Sequence, residues 1–236
     1  MKNIFINNKS FVIPSKWNEL TKKQLLYIAF LLSQKFTKEE IVVLLTMFFS
    51  KYGVRKISKI EPLIFKELEK HYNFIFDIKL TVNLLPKIFI RFKRFYGPTK
   101  ALSNMTFEQF FVFSESYFDN FTKTGSQYSL DLLIASLYTR QQYKFEPLEV
   151  EQNAKVLKHL SLKEKYAILI FYQGNRNFLA KQFNKLFSSG DTDSKKEYDF
   201  LGLVELLNNK DVSKNNQIKN TNIYEIFTYL TNLKSK

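Results

Sequence analysis

TFEQFFVFSESYFDNFTKTG, running from Thr106 to Gly125, is the stretch that decides the fold. Phe107, Phe110, Phe111, Ser114, Tyr117, Phe118 and Phe121 recur at the spacing that places side chains on one face of an α-helix. Glu108, Glu115 and Asp119 fall on the opposite face, and Gly125 supplies a stop. Thr106 and Gln109 stand at the two ends of a T-x-x-Q pattern just before the apolar run. In such a capping box the first side chain accepts from an orphan helix amide, and the fourth reaches back to the first residue's N–H.

Outward from this segment the same signature recurs. Thr21/Gln24 precedes Leu25, Leu26 and Ile28. Thr37/Glu40 precedes Ile41–Phe49. Ser161/Glu164 precedes Tyr166–Phe171, and Asn222/Glu225 precedes Ile226 and Tyr229. Repetition of a helix-start pattern, each copy leading into an apolar periodic run, predicts a mainly α protein. Tyr166–Tyr172 is apolar nearly all round and reads as a central buried helix, interrupted at Gly174 and followed by a second piece at Phe178–Phe187.

Two segments depart from the helical pattern. Ile4-Phe5-Ile6 and Phe11-Val12-Ile13 flank the polar Asn7–Ser10 and predict a small N-terminal β-hairpin closed by Pro14-Ser15. Lys87–Tyr96, between Pro86 and Gly97-Pro98, is β-branched and aromatic and predicts one further strand, able to pair with that hairpin; a helix there stays open. Ser188–Ser194 is the clearest polar break. It divides a helical core domain, 1–187, from a linker and loosely attached helical appendage, 188–236. The appendage holds two short helical stretches, Tyr198–Leu207 and Ile223–Leu233, separated by polar sequence.

The chain of 236 residues is 45% hydrophobic and 17% aromatic, ample for a packed core. It has no cysteine and two histidines, so disulfides, thiolate metal sites and a cysteine nucleophile are excluded. His71 and His159 read as surface or helix-terminal side chains. Glycine-rich phosphate loops, nucleophile elbows, zinc-protease and kinase signatures are all missing. Asp191-x-Asp193 with Glu197 lacks the turn spacing of a calcium loop and reads as linker. No cofactor, metal or catalytic residue is therefore assigned, and the expectation is a non-enzymatic protein. The N-terminus lacks an apolar signal region, and the greasiest run, Ile41–Ser50, is short of a membrane span. A soluble intracellular chain is expected.

The formal net charge is +14. Lysine supplies most of it and arginine only five residues, and with 25 Phe and 13 Tyr this is the composition that an A/T-rich genome would produce without selection for a polyanionic partner. Placement says more than amount: residues 1–100 hold 19 basic and 7 acidic side chains, whereas 101–148 hold 3 and 5. Arg91, Lys93 and Arg94, interleaved with Phe92, Phe95 and Tyr96, have the makings of a stacking and phosphate-binding surface. With Lys87 and Lys100 they form the candidate surface for nucleic acid or an acidic partner. The alternative is a strand with one basic solvent face. Trp17, just before a helix cap, reads as a hydrophobic anchor for the hairpin or a subunit contact. Gln173, Asn175, Arg176 and Asn177 crowd polar groups onto the end of an apolar helix. They read as an internal polar knot at Gly174, or as a subunit contact made by Asn175, Arg176 and Asn177, with Arg176 as anchor.

Three stretches, WNELTKKQLLYI (17–28), YGPTKALSNMTFEQF (96–110) and FYQGNRNFL (171–179), together resemble proteins encoded in the structural-gene regions of tailed phages and prophages of Bacteroidetes. The resemblance spans roughly residues 12–187 and carries no functional residue over. It implies a role in virion structure or assembly: a ring-forming neck or head–tail connector component near the portal, made in the host cytoplasm and retained in the particle. Its partners would be portal, neck or tail proteins, further copies of itself and packaged DNA, with no membrane. A tail-assembly chaperone that binds the tape-measure protein is one alternative, and a basic DNA-binding module is the other.

Overall fold

Thr21 and Thr37 cap α1 (Lys22–Leu32) and α2 (Lys38–Ser50) as full capping boxes. Each hydroxyl accepts from the amide of Gln24 or Glu40, and each threonine N–H donates to that residue's side chain. Ser161 starts α8 (Leu162–Gln182) by donating its N–H and hydroxyl to Glu164 Oε2 at 3.0 and 2.5 Å. The other two boxes form by half: Thr106 Oγ1 accepts from Gln109 N–H at 3.2 Å, and Asn222 Oδ1 accepts from Tyr224 N–H at 2.9 Å. Gln109 donates to Ser136 O at 2.7 Å, and Asn222 Nδ2 donates to Ser103 O at 2.7 Å. The structure, a computed structural model, describes residues 1–6, 9–142, 144–187, 207–208 and 211–233. Helices make up 65% of it, with two small antiparallel hairpins, so the protein is mainly α with an N-terminal β-hairpin.

The chain divides into two units, 1–84 with 161–175, and 85–160 with 176–236. In the first unit, β1 (Lys2–Ile6) pairs with β2 (Lys9–Ile13), with Ile4 opposite Phe11. Ile6, Phe11 and Ile13 are buried, and the Tyr52 hydroxyl donates to Ile6 O at 3.0 Å. Then come α1, α2, α3 (Val54–Ile57) and α4 (Pro62–Tyr72), whose leading proline needs no N–H partner there. Leu25, Ile28, Leu45, Leu68, Tyr72 and Ile75 form the core, and Ala167–Tyr172 of α8 are all buried, as their all-round apolarity predicts.

The second unit is built on α6 (Gln127–Leu137), which is buried from Ser129 to Leu137. Packed on it are α5 (Ser116–Thr124), α7 (Val150–Leu157) and a π-helical segment, Gln109–Glu115. The segment expected to be one α-helix is thus wound wider over its first half. Phe110, Ser114 and Phe118 are buried at a spacing of four, while Phe111 and Tyr117 lie at its margin. The cause is polar: the Ser114 hydroxyl donates to Gln109 O at 3.0 Å and meets Ser136 Oγ at 2.9 Å. Gly125, at φ 68°, ends α5 as expected.

Three further expectations are corrected. Lys87–Tyr96 is a tight hairpin of its own, β3 (Lys87–Ile90) and β4 (Lys93–Tyr96), and does not pair with β1–β2. Gly174 does not interrupt its helix, since α8 runs unbroken through it; a side chain there would lie 2.4 Å from Leu80 O, so glycine serves close approach. The C-terminal stretch is no loose appendage. Phe107 N–H donates to Thr221 O and Ile223 N–H to Met105 O, and Phe227 of α11 (Ile223–Leu233) is buried against Phe110 and Phe183. A short α9 (Asn184–Phe187) follows α8, and the polar sequence before α11 folds partly into α10 (Asn215–Asn220). The Ser188–Ser194 break, Asp191, Asp193 and Glu197, and nearly all of Tyr198–Leu207 lie outside the described residues.

Candidate functional site

The β3–β4 hairpin rises from a firmly bonded base. Gly97 N–H donates to Pro86 O at 3.0 Å. Tyr96 exchanges both backbone bonds with Thr139, at 2.8 and 3.0 Å, and the buried Tyr138 hydroxyl donates to Leu85 O at 2.7 Å. Ile88 and Phe95, directly opposite each other, are buried and fix one face. The other face is made of two cross-strand pairs, Lys87 with Tyr96 and Phe89 with Arg94. Lys87 Nζ sits 5.7 Å from the centre of the Tyr96 ring, a cation–π distance. Phe89 is 69% exposed, and Phe92, at the turn, is 96% exposed.

That turn is strained. Arg91 and Phe92 are its two central residues, with φ of 47° and 62°. Positive φ at both marks a type I′ hairpin turn, whose usual occupants are Asn-Gly. A side chain in the left-handed region costs roughly 1–2 kcal/mol per residue. Such strain persists where the surroundings over-determine it, and it clusters at functional sites.

The charge is equally uneven. No Asp or Glu occurs between Asp77 and Glu108. Among the described residues, no carboxylate lies within ion-pairing distance of Lys87, Arg91, Lys93, Arg94 or Lys100. The apparent concentration of charge in the first 100 residues does not survive folding as a difference between units. The first unit carries 16 basic and 8 acidic side chains and the second 20 and 14, net +8 and +6. Within the second, residues 85–107 hold five cations and no acid, which is nearly all of its excess. Lys87, Arg91 and Arg94 are exposed on the hairpin's outer face and turn, while Lys93, opposite Ile90, is half-buried on the Ile88/Phe95 side next to the turn; Lys100 is exposed on the next short turn, Lys100–Leu102.

The candidate subunit contacts are not brought together on a surface. Trp17 is 2% exposed, donates to Asp77 O at 2.9 Å and meets Phe74 edge-on, so it anchors the first unit's core. Asn175 is fully buried, donating to Phe171 O at 2.6 Å and to Leu80 O at 3.4 Å. Arg176 is held within the second unit: its Nε donates to Glu115 at 2.7 Å, Asp119 lies 3.7 Å from its Nη2, and its guanidinium sits 5.0 Å over Phe118. Asn177 alone of the four is exposed. The Gln173–Asn177 cluster is therefore largely internal bonding.

Of the rings expected to stack, Phe92 is exposed at the turn but Phe95 is buried on the inner face, and the exposed Phe89 is not among them. The thirty-residue gap between Asp77 and Glu108 was the available signal. A cleft beside the hairpin base, between Tyr96, Gly97, Gln109 and Thr139, measures about 20 Å³. That is room for about one water molecule and far below a ligand pocket. Among the described residues there is no cluster of three metal-ligating side chains, and no helix is long and apolar enough to cross a membrane. The chain matches no known protein family, curated protein or solved structure.

Proposed function

We propose that this chain is a non-enzymatic structural or assembly protein of a tailed-phage virion, a ring-forming component of the neck or head–tail connector near the portal. The resemblance of residues 12–187 supplies the setting. The observation that supports a contact role is the β3–β4 hairpin: four cations and two exposed rings on a well-anchored base, with no carboxylate beside them among the described residues. Unpaired surface cations favour a polyanionic neighbour, here packaged DNA or an acidic face of a portal or tail protein. A rigid hairpin would give each copy in a ring the same directed contact.

The test combines sedimentation of the purified protein, its retention on immobilised DNA across a salt series, and mass spectrometry of purified particles. The expected outcome is a discrete oligomer, retention that falls as salt rises, and presence in the particle. A monomer at high concentration with no salt-dependent retention would remove the proposal. The same hairpin also favours a second reading, a DNA-binding module that acts outside the particle. Absence from purified particles together with strong retention on DNA would select it.

A further inference from the structure

We infer that the β3–β4 hairpin is a nucleic-acid-binding element in which Phe92 stacks on a base while Arg91, Lys93 and Arg94 hold the flanking phosphates. This rests on the hairpin being the contact surface, and it adds the class of ligand and a role for the ring at the tip.

The first argument is arginine. A lysine-rich, A/T-driven composition explains lysines anywhere, but the chain has only five arginines and two of them lie in this hairpin. Guanidinium groups match phosphate oxygens in a bidentate fork, which ammonium groups do not. The second is the tip. Phe92 is 96% exposed in a conformation that Gly adopts freely, so folding is not what selects a phenyl ring there. The third is the alternation of rings and cations, Lys87 with Tyr96 and Phe89 with Arg94, which repeats the pattern of a strand-binding surface.

An acidic protein partner could take both the cations and the rings, and a full chain that binds no DNA would point to it and overturn the inference. A lipid surface is disfavoured by the turn itself: inserting Phe92 into acyl chains would carry Arg91 in beside it. Nucleic acid satisfies both chemistries at once. A two-stranded ribbon fits a DNA groove. A base face is open to Phe92 in an unpaired strand, or by insertion at a duplex step that the ring wedges apart.

The experiment titrates the full chain against a mixed-sequence DNA duplex, one of its single strands, and vesicles of phosphatidylserine and phosphatidylcholine. A fluorescent adenine analogue in each DNA reports unstacking. Phe92→Ala is expected to bind DNA about ten-fold more weakly, the weight of one base stack, and to abolish the fluorescence change. Arg91→Ala with Arg94→Ala is expected to lower the slope of log affinity against log salt by about two. Arg91→Asn with Phe92→Gly installs the preferred turn. It is expected to raise the melting temperature while weakening DNA binding, which separates lost contact from lost folding. A stronger response to single strand or to duplex identifies where the base face comes from, and either supports the inference. Unchanged DNA binding by both Phe92 variants would overturn it. If the arginine pair still mattered, the basic-surface reading would stand without it. Binding to vesicles and not to DNA would also overturn it.

Discussion

Gly174 shows how one residue decides a packing distance. A β-carbon there would lie 2.4 Å from Leu80 O and 2.6 Å from Leu80 N, distances no side chain tolerates, and the obstacle is backbone rather than a flexible tip. Gly174→Ala gains helix propensity, worth roughly 1 kcal/mol, but forces the Leu80 segment away. Overpacking of this kind costs typically about 1–3 kcal/mol, so the variant is expected to unfold at lower urea concentration despite the better helix former. Asn175 next to it would be disturbed as well, since its bond to Leu80 O depends on the same approach. Glu19 makes an independent prediction at this scale. The Met1 amine bonds its Oε2 at 2.8 Å, the Ser15 N–H does so at the same distance, and together they hold its carboxyl at about 2 against the usual 4.5. A carboxyl lowered on folding stabilises fully above its unfolded value, and that contribution fades as pH falls from about 4.5 toward 2. Melting temperatures measured across that window should fall for the wild type and fall less steeply for Glu19→Gln.

At the scale of elements, local signals were legible wherever the local chemistry stayed local. Thr21/Gln24 and Thr37/Glu40 formed as complete capping boxes because nothing else competed for their side chains. The N-terminal hairpin followed from two apolar runs around a polar turn. The Thr106–Phe121 segment was misjudged in winding because a partner distant in sequence sets it. Gln109 left its capping role for Ser136 O, and Ser114 joined the Ser136 hydroxyl, so the turn opened to a π-helix. The candidate site had the same fate: its cations were legible by composition, but a two-residue turn of Arg91 and Phe92 carries none of the Gly or Asn that announces a hairpin. The Ser114–Ser136 pair is testable by a double-mutant cycle. Both side chains are fully buried, so Ser114→Ala and Ser136→Ala should each cost about 1 kcal/mol. The double variant should cost less than their sum by roughly 0.5 kcal/mol or more, because the second change removes a partner already lost. Additive losses would mean the hydroxyl pair does not set the π-helical winding.

At the scale of the whole molecule, the sequence suggested a core followed by a tail, and the folded chain is divided differently. Each unit is assembled from two separate stretches, and α8 contributes to both. The second unit closes only when the C-terminal stretch returns to it. Its backbone bonds, Phe107 N–H to Thr221 O at 2.8 Å and Ile223 N–H to Met105 O at 3.1 Å, join segments more than a hundred residues apart. Asn222 to Ser103 and the Tyr224 hydroxyl to Ala101 O, at 2.7 and 2.6 Å, tie down the same segment. Ile223, Ile226, Phe227 and Leu230 are buried there, and losing one ring such as Phe227 costs about 3–5 kcal/mol. Several such losses exceed the margin by which a domain is stable. Removing residues 207–236 should therefore unfold the second unit, where trimming a loose tail would leave it intact. Hydrogen exchange distinguishes the two: the Phe107 and Phe110 amides should lose protection in the truncated protein, and Phe227→Ala should weaken protection at the same amides in the full chain. If truncation left both amides protected, the C-terminal stretch would be an appendage after all.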